Sequence, residues 1–197
     1  RNSLSDPAVR LITADPRRFL KESGPAYDLI LIGMPEPSSG QTNRFYTQDF
    51  FRECVARLTP DGVIGLRLPT TENFWTPQWI RRTASIHSAL ASVFPEVLVL
   101  PGTTTVITAS RTPLPRSADI LNERLRTRAI QTRLVSPPYI RYLFTNDRRF
   151  DLEKRLKKEA VPMNTDIRPA CYLSAVMIWL ARFFPKLSRV RIVASDC

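Results

Sequence analysis

Hydrophobic positions along the first 110 residues follow two alternating periods. Short apolar or β-branched runs at 9–13 (VRLIT), 27–32 (YDLILI), 63–68 (VIGLRL), 97–100 (VLVL) and 104–109 (TTVITA) predict strands. The run at 27–32 is almost unbroken, as in a strand covered on both faces. Between the runs the spacing turns helical. Asp15-Pro16 opens a short amphipathic turn through Phe19 and Leu20. Thr47 caps a second helix that places Phe50, Phe51, Cys54, Val55 and Leu58 on one side, and residues 33–45 before it read as a loop. Thr76-Pro77 opens a longer helix lined by Trp79, Ile80, Thr83, Ile86, His87, Leu90 and Val93. Pro101-Gly102 brings the last two strands close enough to pair antiparallel.

Residues 6–110 thus predict an α/β pattern that closes in a hairpin. The strands match the outer and later part of a Rossmann-like sheet. No GxGxxG loop is present, so the first strands are expected upstream, a view also suggested by a chain that starts at Arg1 without Met. After Arg111 the pattern changes to three short basic helices at 117–128, 137–144 and 147–158. An apolar stretch follows at 170–184, 15 residues against the roughly 20 that span a bilayer. Two readings stay open for it: a helix packed on the sheet, or a membrane-interfacial segment with Arg182 and Lys186 reaching for the surface. The expected organisation is 1–110 as the later half of the Rossmann-like domain, 111–168 as a basic helical extension, and 169–197 as an apolar helix and tail.

Composition adds three points. With 43% hydrophobic and 24% charged residues the chain is globular rather than disordered. The net charge of +11 suits an anionic membrane face as well as nucleic acid. The basic residues are mostly Arg and dispersed, so nucleic acid is not the expected partner. Cys54, Cys171 and Cys197 form no CxxC, which argues against structural zinc and fits a reducing compartment.

The segment "YDLILIGMPEPSSG…RFYTQDFF…LTPDGVIGLRL" resembles the central motif of the spermidine synthases, the polyamine aminopropyltransferases. Tyr27-Asp28, Glu36-Pro37, Tyr46-Thr47, Phe50-Phe51 and Asp61-Gly62 fall in register with it. "VRLITADPRRFL" resembles the preceding strand, with Asp15 in its key position, and "TTTVITAS" resembles the closing hairpin. "PMNTDIRPACYL" is similar to a bacterial subgroup whose synthase-like domain is joined to membrane helices.

The resemblance implies a partial, methyltransferase-type α/β sheet lacking its first strands, with the gap falling between the strands at 9–13 and 27–32. It also implies aminopropyl transfer from decarboxylated S-adenosylmethionine, as co-substrate and without a separate cofactor, to an amine. Its partners would be nucleoside and amine substrates, a membrane on its cytoplasmic face, and a second copy in a homodimer; without the membrane, the setting is cytoplasmic. Asp15, Gly33 and Met34 would face the nucleoside, Glu36 the chemistry, and Tyr46 and Arg67 the substrate.

Departures cluster on the amine side. Gly33 replaces the family's first Asp, the presumed base, and Glu36 keeps the second carboxylate. Arg67 stands where the family has Gln and suits an anionic acceptor. The Tyr-Pro before the hairpin is absent. A catalytically silent nucleoside-binding or membrane-scaffold domain is therefore the competing expectation. Each candidate also has a plain structural reading: Glu36 as an exposed loop residue, Asp15 as an N-cap, Tyr46 as packing, Arg67 as a surface partner of Glu72, and His87 as a core residue.

Overall fold

The computed structural model describes residues 6–70, 75–181, 183 and 184. Glu72, Arg182, Lys186 and the tail to Cys197 lie outside the described residues.

Helix α1 (Pro16–Lys21) starts where Asp15 caps it, the carboxylate accepting from the backbone N–H of Arg17 and of Arg18 at 3.0 and 3.1 Å. Strand β1 (Tyr27–Ile32) follows, then the one-turn α2 (Gly40–Asn43), inside a stretch expected to be loop; Ser39 and Thr42 close it with a reciprocal capping box. Thr47 caps α3 (Gln48–Ala56), as predicted, but Leu58, expected on its apolar side, lies in the next strand instead; Thr76 caps α4 (Pro77–Ala91). Strands β2 (Leu58–Pro69), β3 (Glu96–Leu100) and β4 (Thr104–Ser110) complete one sheet of order β1-β2-β4-β3. β1 and β2 are parallel, and β4 is antiparallel to both of its neighbours. Helices α5 (Ala118–Thr127), α6 (Pro137–Thr145), α7 (Asp147–Lys158) and α8 (Ala170–Ala181) follow.

Alternation along the strands sorts the two faces. Ile64, Leu66 and Leu68 of β2 and Ile107 and Ala109 of β4 are buried in the main core with Phe51, Ile86 and Leu90 from α3 and α4. Leu152 and Leu156 of α7 and Cys171 of α8 join the same core. On the opposite face, Leu98 of β3 packs with Ala118, Ile140 and Phe144 from α5 and α6. That cover does not reach β1.

Three expectations change. Residues 9–13 form no strand: Val9, Leu11 and Ile12 are exposed and no neighbouring strand pairs with them. The sheet has no gap in its middle, since β1 pairs directly with β2 and the four strands are contiguous. The apolar run of β1 is covered on one face only. Ile32 is buried, while Leu29 and Leu31 are 53% and 72% exposed on an edge strand.

Strand β2 also starts earlier than its hydrophobic run. Tyr27 pairs with Leu58 but Leu29 with Val63, so an irregularity absorbs the extra residues around Pro60 and Asp61. Gly62 permits it, because a Cβ there would sit 3.0 Å from both the Leu58 Cβ and the Thr59 carbonyl oxygen. Among the described residues no helix is long and apolar enough to cross a membrane.

Candidate functional site

Strand β1 ends at Ile32, in register with Leu66, while the parallel β2 runs on to Pro69. The loop leaving β1 carries Gly33, Met34 and Glu36, and the next residue of β2 is Arg67. Carboxyl ends of adjacent parallel strands are the usual ligand position in such sheets.

The loop is fastened from below. Tyr46 is fully buried, and its hydroxyl donates to the Met34 and Pro35 carbonyls at 2.8 and 3.0 Å. Burial, assisted by the negative charge of Glu36, pushes this phenol up to about 12, so it stays a hydrogen-bond donor at neutral pH. The Tyr46 carbonyl accepts from Nδ2 of the fully buried Asn164 at 2.8 Å, and Oδ1 of Asn164 accepts from the Cys171 N–H at 3.3 Å. Thr47 Oγ1 donates to Asp166 at 2.7 Å. Arg17 forks onto Glu53 at 2.6 and 2.9 Å and bonds Asp166 at 2.8 Å. Its guanidinium is held above its ordinary range by the Glu53 carboxylate, against the cost of burial.

The rim of the loop is different. Glu36 Oε2 accepts from Arg82 at 2.9 Å, with side-chain exposures of 35% for Glu36 and 5% for Arg82. Among the described residues Glu36 Oε1 has no donor, and the buried Nε of Arg82 has no acceptor. Arg67 is exposed, and among the described residues no carboxylate stands at ion-pair distance from it. The charge of Glu36 raises the Tyr46 phenol, and those of Arg82 and Arg67 oppose it.

The predicted residues therefore fall into two groups. Gly33, Met34, Glu36 and Tyr46 gather at the end of β1, and Arg67 follows Leu66 on the neighbouring strand. Gly33 and Met34 line an apolar groove of about 290 Å³ with Pro16, Phe19 and the exposed Leu29 and Leu31. A Cβ on Gly33 would meet no atom within 4 Å, so open space stands where the first carboxylate was expected. Asp15 adjoins this groove through Pro16 but itself lines a charged open cleft of about 770 Å³, and it pairs with Arg44 at 3.0 Å. Backbone donors hold its carboxyl below the usual range despite some desolvation.

His87 lies largely buried on α4, where desolvation and then Lys157 lower it from its ordinary value. Cys54 and Cys171 are free buried thiols, each raised to about 12 by burial. Among the described residues no cluster of three His, Cys, Asp or Glu side chains could hold a metal.

Sequence reasoning missed Arg82, Asn164 and Asp166. Arg82 carried a signal: a cation set within the apolar stripe of Trp79, Thr83 and Ile86. Asn164 and Asp166 stood in view in the "PMNTD" segment, but contacts with Tyr46 and Thr47 across more than 100 residues leave no local trace.

No family model matches the chain. A polyamine aminopropyltransferase from Synechococcus sp. (strain JA-2-3B'a(2-13)) is 34% identical over 100 residues, 50% of this chain and 32% of that protein. The polyamine aminopropyltransferase from Nitrosomonas europaea is 29% identical over 130 residues, 64% of this chain and 39% of that protein. Among solved structures, a spermidine synthase in complex with the transition-state analogue AdoDATO superposes with a TM-score of 0.63 at 20% identity, covering 79% of this chain and 53% of that one. The spermidine synthase from Thermotoga maritima gives a TM-score of 0.59 at 19% identity, covering 79% and 52%. The fold is thus that of the spermidine synthases, α/β and Rossmann-like. The chain spans between about a third and two fifths of the length of these two curated relatives.

Proposed function

We propose that this chain, which belongs to the spermidine synthase family over the half that matches its relatives, supplies the acceptor side of an aminopropyl-transfer site. The co-substrate is decarboxylated S-adenosylmethionine and the acceptor is an amine. An ammonium has no lone pair, so a carboxylate must first take its proton. The freed amine then attacks the carbon beside the sulfonium, and alignment of the two reacting atoms lowers much of the remaining barrier.

Glu36 carries this reading. It is the carboxylate at the strand end, oriented through Oε2 by Arg82, with Oε1 turned to no protein donor among the described residues. Tyr46 fixes the loop that bears it, and Gly33 and Met34 border the nucleoside side. Arg67 faces the acceptor. The test is aminopropyl transfer by the intact protein, assayed with decarboxylated S-adenosylmethionine and putrescine or another amine, in wild type and Glu36→Gln. Loss of a placed general base lowers the rate by about 100- to 10,000-fold. Inactive wild type, or an unchanged variant, overturns Glu36 as the base.

One observation favours a second reading. Gly33 offers no side chain, and Glu36 already neutralises a buried arginine. A catalytically silent domain that binds a nucleoside ligand, or scaffolds a membrane partner, is built from the same parts. It requires that the intact protein bind methylthioadenosine yet turn over no amine. Contact with a membrane surface belongs to the proposal too, carried by the exposed Trp179, Phe183 and Phe184 at the end of α8 and by the basic stretch before it. Co-sedimentation with anionic vesicles checks it: equal recovery with neutral vesicles and at high salt removes the membrane from the picture.

A further inference from the structure

We propose that Arg67 makes this site selective for an acceptor carrying a carboxylate as well as an amine, an ω-amino acid rather than a diamine. The inference rests on the aminopropyl-transfer reading and names the substrate class of the same site.

Strand geometry supplies the placement. Ile32 pairs with Leu66, so Gly33 opens the loop after β1 where Arg67 continues β2. Ile64, Leu66 and Leu68 point into the core, so Arg67 projects from the opposite face, where Leu31 and Gly65 lie. That face is open at β1, and the position of a Gly33 side chain is empty space. A ligand lying over the strand ends therefore meets the guanidinium of Arg67 directly.

Charge supplies the chemistry. A diamine at neutral pH has two ammonium ends and needs negative charge at both. Here one carboxylate, Glu36, is matched by the buried Arg82 at 2.9 Å. Arg67 then leaves the strand ends with a net positive charge, repelling a second ammonium. The planar guanidinium suits a carboxylate, which it can grip through two parallel hydrogen bonds.

An ω-amino acid places its carboxylate on Arg67 and its amine towards Glu36. The step balances: the ammonium gives a proton to Glu36, and the amine lone pair forms the new C–N bond. The C–S bond breaks with its electron pair staying on sulfur. The sulfonium becomes neutral methylthioadenosine, and the positive charge moves to the new secondary ammonium.

The test compares 4-aminobutanoate with 1,4-diaminobutane, which differ only in one end group. Transfer is measured on the intact protein with decarboxylated S-adenosylmethionine, in wild type, Arg67→Gln and Arg67→Glu. Calorimetric binding of each acceptor is measured in parallel on protein saturated with methylthioadenosine, and circular dichroism confirms folding of these surface variants. Wild type is expected to favour the amino acid by about 10- to 100-fold, the size of one hydrogen-bonded charged pair. Arg67→Gln should erase the preference and Arg67→Glu reverse it, through KM more than kcat. A wild-type preference for the diamine, or an unaltered preference in Arg67→Gln, overturns the proposal. Transfer to neither acceptor defeats the aminopropyl-transfer reading, and calorimetry then decides the ligand class. Arg67-dependent binding of 4-aminobutanoate upholds it; absent or Arg67-independent binding overturns it.

Discussion

The loop that leaves β1 rests on one polar region and displays another, and the two are built differently. Beneath it, Tyr46, Thr47, Asn164, Asp166 and Arg17 satisfy one another: the buried Asn164 amide is used at both ends, and Arg17 meets two carboxylates. Along the rim, Glu36 has one free oxygen, Arg82 has a buried Nε without an acceptor, and Arg67 has no carboxylate beside it among the described residues. A buried polar group left unmatched costs stability. A satisfied network therefore reads as support, and an unbalanced one as a place where a ligand completes the charges. The lower region holds a shape, and the rim is where the proposed chemistry would take place.

Substitutions that break the support should cost the most. Arg17→Ala leaves the half-buried Glu53 to Lys21 and the exposed Asp166 to Thr47, and is expected to lose about 2 kcal/mol in a urea melt. A loss below about 0.5 kcal/mol, the size of an ordinary surface change, would show the network to be dispensable. Asn164→Ala leaves the Tyr46 carbonyl and the Cys171 N–H without partners and should cost about 2 kcal/mol. Its effect should spread to the loop as faster hydrogen exchange at Thr47 and Gln48. Exchange that quickens only near residue 171 would separate the segment from the site.

A smaller effect comes from pH. Burial, and then Lys157, keep the folded pKa of His87 below its unfolded value near 6.5. Its contribution is therefore complete above 6.5 and is lost as pH falls through the folded value. Stability should decline on acidification below 6.5, and His87→Asn should flatten that slope. A slope unchanged by the substitution would remove His87 as its source.

The smallest effect on stability belongs to the rim. A side chain on Gly33 meets nothing within 4 Å, so Gly33→Asp should stay within about 0.5 kcal/mol of wild type in the same melt. It adds a carboxylate at the end of β1 and, on the proposed reading, should raise transfer to a diamine relative to an amino acid. A destabilised Gly33→Asp protein would mean that this space is structural.

Much of the support was local enough to read in the sequence. Asp15-Pro16, Thr47 and Thr76-Pro77 mark helix starts by a side-chain oxygen that accepts from free N–H groups, and all three hold. Pro101-Gly102 between β-rich runs announces the β3–β4 pairing. What depended on distant partners was not legible. Residues 9–13 have strand composition, but a strand needs a neighbour, and none pairs with them. The register change between Tyr27 and Leu29 comes from the turn at Pro60 to Gly62, over 30 residues away in sequence. At the candidate site, the motif offered Glu36, Tyr46 and Arg67 as candidates, while the ion pair on Glu36 comes from a residue 46 positions further on.

A crystal structure of the intact protein with methylthioadenosine bound tests the central claim most directly, that the carboxyl end of β1 borders the nucleoside with Glu36 beyond its sulfur. The expected result is thioether density against Gly33 and Met34, with Glu36 Oε1 facing the space beyond. Nucleoside density away from this strand end, or none at saturating ligand, would contradict it.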